Sequence, residues 1–225
     1  MLTDYHSHIL PGMDDGAKDA AMSLSMMELL RTQGVERVIA TPHFYAHRER
    51  SVADFIGKRQ AAFEAVADKA APLELLLGAE IAVEHDISEK KDIRKLAIQG
   101  TDLILLELPY AKFSPWMTGE IYNIRVSYKL RPVIAHIHRY LEYYTSSQME
   151  QVLELPAVFQ INNEAFASWK QARFVKRLLQ SDLPLVFGSD CHNLTNRRPN
   201  WDLLKRKCKA DTIGLSDGML ELHRI

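Results

Sequence analysis

The chain of 225 residues predicts an α/β fold of the distorted seven-stranded (β/α) barrel type, and two features of its pattern carry that reading. Short apolar runs alternate with helical patterns from one end to the other, and imidazole or carboxylate side chains stand where nearly every run stops. Alternating strands and helices argue for parallel strands joined by right-handed crossovers. In a parallel barrel the C-terminal strand ends open on one mouth, so the groups they carry converge there.

Seven runs rich in Val, Ile and Leu, bounded by polar residues or by Gly and Pro, are read as strands buried on both faces. They cover Leu2–His6, Arg37–Thr41, Leu73–Ala79, Leu103–Leu108, Pro132–His136, Ala157–Asn162 and Pro184–Ser189. Seven is one short of the usual eight, hence an irregular barrel. The first helix is expected over Ala20–Gln33, with Met22, Met26, Leu29 and Leu30 at helical spacing and Gly34 as its C-cap. Its methionines read as core, since Met fills gaps in packed interiors. Further helices are expected over Asp54–Lys69, Ser88–Gln99, Gly119–Leu130, Ser147–Leu153 and Ser168–Gln180. No repeat, low-complexity tract or Gly/Ser linker interrupts the series, so residues 1–225 are expected to form one domain.

Composition narrows the function classes. A hydrophobic content of 47% with 25% charged residues supplies material for one sizeable core. The net charge of -1 calls for neither nucleic acid nor an anionic membrane. No run is long enough to span a bilayer, and Met1-Leu2-Thr3-Asp4 lacks the features of a signal peptide. Cys191 and Cys208 alone do not form a disulfide framework, and cytoplasmic residence is the expectation.

The strand ends carry the chemistry. His6-Ser7-His8 places two imidazoles at i and i+2, which share a face on extended backbone. Asp14-Asp15-Gly16 adds hard oxygen donors in the next loop. His43 follows Pro42, which ends the second run. Glu80 and Glu107 each follow an almost uninterrupted apolar run, where a carboxylate is costly unless paired or metal-bound. His136 and the pair Asp190 and His192 complete the set. Six of the seven strand ends therefore carry ligand types, whereas His47, His85 and His223 lie in polar stretches and read as surface residues. Nitrogen and oxygen donors without thiolates favour Mn, Fe or Zn held for catalysis. So many donors suit two or three ions bridged by a carboxylate, and the expectation is a metal-dependent hydrolase.

Cys191 and Arg197 match the Cys-x5-Arg spacing of thiol-based tyrosine phosphatases. That chemistry needs a thiolate ringed by backbone N–H groups, and the five intervening residues contain no glycine. Cys191 also stands between Asp190 and His192, and alternation points it away from them. The match is read as coincidence.

The ordered motifs His6-Ser7-His8, Asp14-Asp15-Gly16, Thr41-Pro42-His43, Gly78-Ala79-Glu80, Glu107-Leu108-Pro109, Ala135-His136-Ile137-x-Arg139-Tyr140 and Gly188-Ser189-Asp190-x-His192-Asn193-Leu194 resemble the polymerase-and-histidinol-phosphatase superfamily. Within it the chain looks most like the bacterial manganese-dependent protein-tyrosine phosphatases of capsule and exopolysaccharide operons, from Met1 to about Pro199. The resemblance implies the distorted barrel and a three-metal site. One ion would sit among His6, His8, Glu80 and Asp190, and a second would share Glu80 and take Glu107 and His136. The third would take His43, His192 and Asp15, with Asp14 as the alternative. It further implies a metal-bridging hydroxide attacking phosphorus in line, catalytic roles for Arg139, Asp15, His43 and His192, and phosphate binding by Arg139 and Arg197. Pro109–Trp116, an aromatic segment behind a ligand strand, is a candidate wall for a tyrosine ring or a packed loop. The implied cofactor is Mn2+, with Fe or Zn also suited to these donors, and the implied partner is the tyrosine-rich tail of a bacterial tyrosine kinase.

Two departures stand out. His138 occupies the position before the arginine where an acidic residue is usual, and the segment after Asp190 is short and basic, with Arg197, Arg198, Lys205, Arg206 and Lys207. A small-molecule phosphatase such as one for histidinol phosphate is the alternative activity, though Asp14-Asp15-Gly16 in place of a histidine favours the protein-tyrosine group. A non-catalytic regulatory module is the other alternative, but no expected ligand position is lost.

Overall fold

Parallel pairing runs through every strand of the computed structural model, which describes residues 1–225. The strands are β1 (Thr3–Ser7), β2 (Arg37–Ala40), β3 (His43–Phe44), β4 (Glu74–Leu77), β5 (Glu80–Ala82), β6 (Leu103–Glu107), β7 (Arg131–Ile134), β8 (Val158–Asn162) and β9 (Leu185–Gly188). They form a three-stranded sheet in the order β1-β2-β4 and a six-stranded sheet in the order β3-β5-β6-β7-β8-β9.

The second and third expected runs are each broken in two. Thr41-Pro42 separates β2 from β3, and Gly78-Ala79 separates β4 from β5. Pro42 has no N–H to give to a ladder, and Gly78 is so close to β2 that a Cβ there would lie 3.3 Å from Ile39 Cγ2. Hydrogen bonds nevertheless cross the breaks, from Gly78 N to Ala40 O (2.8 Å) and from Glu80 N to Pro42 O (3.1 Å). At the other edge Asp190 N donates to His6 O (2.8 Å) and His8 N to Cys191 O (2.9 Å). No continuous ladder joins the two sheets.

Helices fill the connections. α1 (Ala20–Thr32) starts at Asp19, whose side chain accepts from Met22 N, and buries Met26, Met27 and Leu30. Gly34 follows with a left-handed φ of 78°, where a Cβ is disfavoured. α2 (Val52–Glu64) stops short of the expected Lys69, and a one-turn α3 (Ala67–Ala70) completes the segment. The helix expected over Ser88–Gln99 is a correction: two 3-10 turns stand there, Ile87–Glu89 and Ile93–Leu96. Asp86 and Asp92 take left-handed φ values of 63° and 68° before each turn, which no α-helix can run through. Ile87, Ile93 and Leu96 are still buried, so the apolar spacing was real and only the backbone between them differs.

α4 (Pro115–Tyr128) begins earlier than expected because Pro115 suits the first helical turn. α5 (Ser146–Leu153) has a capping box between Thr145 and Gln148, and α6 (Trp169–Leu178) is capped by Ser168. The basic tail holds two further helices, α7 (Trp201–Lys205) and α8 (Ala210–Leu222). No helix is long and apolar enough to cross a membrane.

Alternation along the strands divides the interior. Ile104, Leu106, Ile134, Phe159 and Phe187 join a 48-residue cluster with the helices. Their neighbours Leu103, Leu105, Val133, Ala135, Val158 and Val186 join a 10-residue cluster with Tyr5 and with Leu220 of α8. α8 is tied to the strands by Tyr5 Oη donating to Ser216 O (2.8 Å) and Thr3 N donating to Asp217 Oδ1 (2.7 Å). Residues on the smaller cluster's face, continued one or two positions further along, become the polar site described next.

Candidate metal centre

The strand ends bring the nine expected donors together. His6 lies in β1 and His8 just beyond it, His43 opens β3, Glu80 opens β5, and Glu107 closes β6. His43 and Glu80 are register partners on adjacent strands, as are Ala82 and Glu107. His136 and Asp190 each follow a strand in left-handed backbone, with φ of 30° and 50°. Non-glycine residues rarely adopt that region, and where they do the strain commonly serves a site.

Four clusters emerge, each with ligand atoms within 4.8 Å of one another: His6, His8 and Asp190; His6, Glu80 and His136; His43, Glu80 and Glu107; and His8, Asp15, His43 and His192. His6, His8, His43 and Glu80 each serve two of them. The three expected groups are therefore adjacent and share walls. His8 belongs to the Asp15, His43 and His192 group as well as to that of its expected partners His6 and Asp190. Glu107 approaches both His43 and His136, the latter at 3.5 Å.

Hydrogen bonds set the imidazole tautomers. His6 Nδ1 faces the acceptor Gln160 Oε1 (3.2 Å), His8 Nδ1 faces Asp14 Oδ2 (2.7 Å), and His192 Nδ1 faces the carbonyl of Asp190 (2.9 Å). Each ring spends its Nδ1 proton there and turns Nε2 inward, as metal-ligating histidines held by outer partners do. His6 Nε2 and His8 Nε2 then confront each other at 3.1 Å. Glu80 Oε2 lies 3.1 Å from His6 Nε2, 3.2 Å from His8 Nε2 and 3.1 Å from His43 Nδ1. Yet Glu80 Oε2 has no hydrogen-bond partner, nor do His43 Nδ1 and His192 Nε2. Buried donors and acceptors are almost always paired. These three unpartnered atoms, set among further imidazole and carboxylate donors, fit a cation, and the donor set is that of a divalent metal.

Without an ion, protons on the imidazoles supply the positive charge that the carboxylates call for. Burial opposes charge on His8, but Asp14, Asp190 and Glu80 raise its pKa well above the ordinary imidazole value. His136, equally buried, is raised to about 9 by Glu107 and Glu80. Burial would raise Glu80 and Asp190; the surrounding imidazoles, with Arg139 beside Asp190, instead hold both well below the usual carboxylate range. His192 goes the other way: burial and the neighbouring His8 charge push it down to about 4.

The loop aspartates divide the work. Asp14 accepts from His8 Nδ1, from His43 N (2.9 Å) and from Gly16 N (2.9 Å), so it orients His8 and fastens the loop to β3. Asp15 is 64% exposed, and its Oδ1 reaches His192 Nε2 at 3.4 Å and His43 Nε2 at 3.6 Å. Gly16 is required by space, since a Cβ there would lie 2.2 Å from His8 O.

A cavity of about 440 Å³ opens above these groups, lined by His43, Glu80, Glu107, His136, Asp190, Arg139, Arg197, Tyr45 and Tyr110 among others. Arg139 Nη2 reaches Asp190 Oδ2 (2.7 Å), and Arg197 Nη2 donates to the same oxygen (3.0 Å). Tyr110 stacks on His136 with its ring centroid at 5.8 Å, so this residue of the aromatic segment is a wall. Phe113 faces Tyr144 instead, as a packed loop residue.

Outside the cavity, His47 is exposed and paired with Glu84 (2.8 Å), and exposed His85 stacks on Trp116. His223 departs from the surface expectation: it is half-buried and bonds Asp102 at 2.8 Å. Cys191 is fully buried in the large cluster, and burial drives its thiol well above the ordinary value. The Cys-x5-Arg spacing therefore lacks an accessible thiolate. Both cysteines are free.

Sequence reasoning missed the contribution of β8. Gln160 Oε1 accepts from His136 N (2.7 Å) as well as facing His6, and Gln160 Nε2 donates to Asn162 Oδ1 (2.8 Å). Asn162 Nδ2 donates in turn to Asp190 Oδ2 and Glu164 Oε1 (both 2.9 Å). The signal was present: Gln160 and Asn162 interrupt an apolar strand at i and i+2, on one face.

Comparison with known proteins places the chain in a family. Tyrosine-protein phosphatase YwqE of Bacillus subtilis (strain 168) is 32% identical over 208 residues, spanning 87% of this chain and 79% of YwqE. Tyrosine-protein phosphatase CpsB of Streptococcus pneumoniae is 29% identical over 230 residues, 93% of this chain and 92% of CpsB. A solved structure from work on YwqE and CpsB, described as metal-dependent tyrosine phosphatases, matches with a TM-score of 0.81 at 25% identity, over 99% of this chain and 94% of its own. Histidinol phosphate phosphatase of Lactococcus lactis, at 12% identity and a TM-score of 0.60 over 98% of this chain and 93% of its own, shares the fold alone. The family model for capsular polysaccharide synthesis, CpsB/CapC, matches residues 2–212, and the chain belongs to that family.

Proposed function

We propose that this chain is a metal-dependent protein-tyrosine phosphatase that removes phosphate from phosphotyrosine, with Mn2+ as the working ion and the tyrosine-rich tail of a bacterial tyrosine kinase as substrate. The observation that carries this reading is the convergence of unpaired imidazole and carboxylate atoms around Glu80 Oε2 beneath a cavity bearing two arginines. His6, His8, Glu80 and Asp190 would hold one ion, Glu80, Glu107 and His136 a second, and His43, His192 and Asp15 a third. When bound, such ions supply a water nucleophile at neutral pH and offset charge on the phosphoryl oxygens.

The chain's own residues do the rest. Arg139 and Arg197 bind the phosphoryl oxygens, since a guanidinium offers several N–H groups in a plane that matches phosphate. Both already bond Asp190, so their heads are held at the cavity floor before substrate arrives. Tyr110 and Tyr45 bound the cavity with aromatic faces suited to a tyrosine ring. Phenolate is a good leaving group, so no strong acid need stand behind the ester oxygen. His6, His8 and His192 keep their Nδ1 protons against Gln160, Asp14 and the Asp190 carbonyl, which preserves the inward Nε2 lone pairs.

We further read the fold as one domain, a distorted seven-stranded barrel in which β2 with β3 and β4 with β5 act as single interrupted strands. The hydrogen bonds across Pro42 and Gly78, and those linking β1 to the turn after β9, support that reading.

The test is hydrolysis of a phosphotyrosine peptide by purified protein, before and after chelator, with Mn2+, Fe2+ or Zn2+ added back. Loss with chelator and recovery with Mn2+ is the expected result. Activity that survives chelator overturns the metal reading. Hydrolysis of small phosphate esters alone overturns the protein substrate.

A further inference from the structure

We infer that Glu164 is a positioning residue for phosphate binding: it fixes the guanidinium of Arg139 over the cavity floor and, through Asn162, ties that arginine to Asp190. The inference rests on the phosphatase reading for the role of Arg139. It concerns a residue outside every expected ligand or substrate group.

The geometry is a closed ring of four side chains. Arg139 Nη2 donates to Glu164 Oε1 at 2.6 Å and reaches Asp190 Oδ2 at 2.7 Å. Asn162 Nδ2 bridges the same two oxygens, at 2.9 Å each. Both carboxylates take Nη2, on a guanidinium that lines the cavity. An arginine held by one carboxylate can swing about it; held by two, with an amide fixing their separation, its plane is set. Glu164 owes its place to β8, since it lies in the 3-10 turn Asn163–Ala167 directly after that strand.

His138 explains why a residue from another strand is needed. This is the position where the resemblance leads one to expect an acidic side chain beside the arginine. Here the imidazole is fully buried, neither ring nitrogen has a hydrogen-bond partner, and Nε2 stops 3.7 Å from Glu164 Oε1. An imidazole has no negative charge to set against the guanidinium. The carboxylate that balances Arg139 comes from Glu164 instead. Burial would raise that carboxyl, but His138 and the Arg139 charge hold it at about 2, ionised at every working pH.

The test pairs a double-mutant cycle with a direct binding measurement. Glu164→Ala, Glu164→Gln, Arg139→Ala and the double alanine variant are compared in steady-state hydrolysis of a phosphotyrosine peptide. Inorganic phosphate is titrated calorimetrically into each Mn-loaded protein, with metal content measured alongside. Glu164→Ala should raise KM and weaken phosphate binding roughly ten- to hundredfold, the span expected for a charge-assisted bond, with a smaller change in kcat. Glu164→Gln keeps an acceptor oxygen and should recover part of the loss. The double variant should be no worse than Arg139→Ala, because a residue acting through Arg139 has nothing left to act on. Additive losses in the cycle, or unchanged phosphate affinity in Glu164→Ala, overturn the inference. A wild type that binds phosphate but leaves the peptide intact overturns the phosphatase reading instead, and the calorimetric cycle still decides the role of Glu164.

Discussion

Replacing Asp14 by alanine, beside the same change at Asp15, separates the residue that builds the loop from the one that faces the chemistry. Asp14 accepts one bond from an imidazole and two from backbone N–H groups. A bond to a charged group is worth about 1.5–3 kcal/mol, and each buried N–H left unpaired costs about 1–3 kcal/mol. The loop can relax and admit water, so the lower ends apply and the total is about 3.5 kcal/mol. For a chain of this size that corresponds to a fall in Tm of about 7–14 °C. His8 also loses the acceptor that fixes its tautomer, which should weaken metal binding about 10–100-fold. Asp15, largely exposed and with no contact to His43 or His192 shorter than 3.4 Å, has little folding energy to lose. Asp15→Ala should shift Tm by no more than about 2 °C, the range of ordinary surface substitutions, while activity falls. Differential scanning calorimetry of the metal-free proteins and competition with a metallochromic chelator read both quantities. If Asp14→Ala melts like wild type and binds metal as tightly, the orienting role assigned to Asp14 is wrong. If Asp15→Ala unfolds early, the division between the two is wrong.

Other substitutions probe separate parts of the argument. Cys191→Ala should leave kcat/KM within about twofold of wild type, since a buried, protonated thiol cannot attack phosphorus; loss of turnover with metal content intact would revive thiol chemistry. Gly188→Ala forces a Cβ to within 2.7 Å of His6 Cβ and 2.8 Å of His6 N, so it should displace His6. The cost should be about 1–3 kcal/mol, and metal bound per chain should drop; a variant of normal stability and full metal content would show that the strand gives way freely. For pH, Glu164 is held at about 2 in the folded state against an ordinary value of 4.5. Its folded pKa is depressed, so its stabilising contribution is present above about 4.5 and is lost as pH falls from there toward about 2. The Tm of wild type should therefore decline more steeply over that window than the Tm of Glu164→Gln. Parallel curves would contradict the depressed pKa.

Much of this protein was legible in order along the chain. Apolar runs marked the strands because a strand buried on both faces has no room for charge. His6, His8, His43, Glu80, Glu107, His136, Asp190 and His192 stood out because charged or ligating groups at the ends of such runs are costly unless used. What local sequence could not convey were breaks and long-range partners. Ser88–Gln99 has helical apolar spacing, yet Asp86 and Asp92 turn the backbone left-handed, which spacing does not register. Thr41-Pro42 and Gly78-Ala79 interrupt strands whose runs read as continuous.

The sequence by itself determined the α/β class, the candidate donors and the end of the strands at which they collect, since parallel connections leave only one end for loops after strands. Only the tertiary structure decided which donors share an ion-sized space, that Asp14 serves His8 while Asp15 faces His43 and His192, and that Glu164 stands where His138 supplies no carboxylate. These depend on register between strands distant in the chain, such as His43 beside Glu80, and on which hydrogen-bond partner each ring finds. A linear pattern records faces and ends; distances across the site are set by how the strands pair and turn.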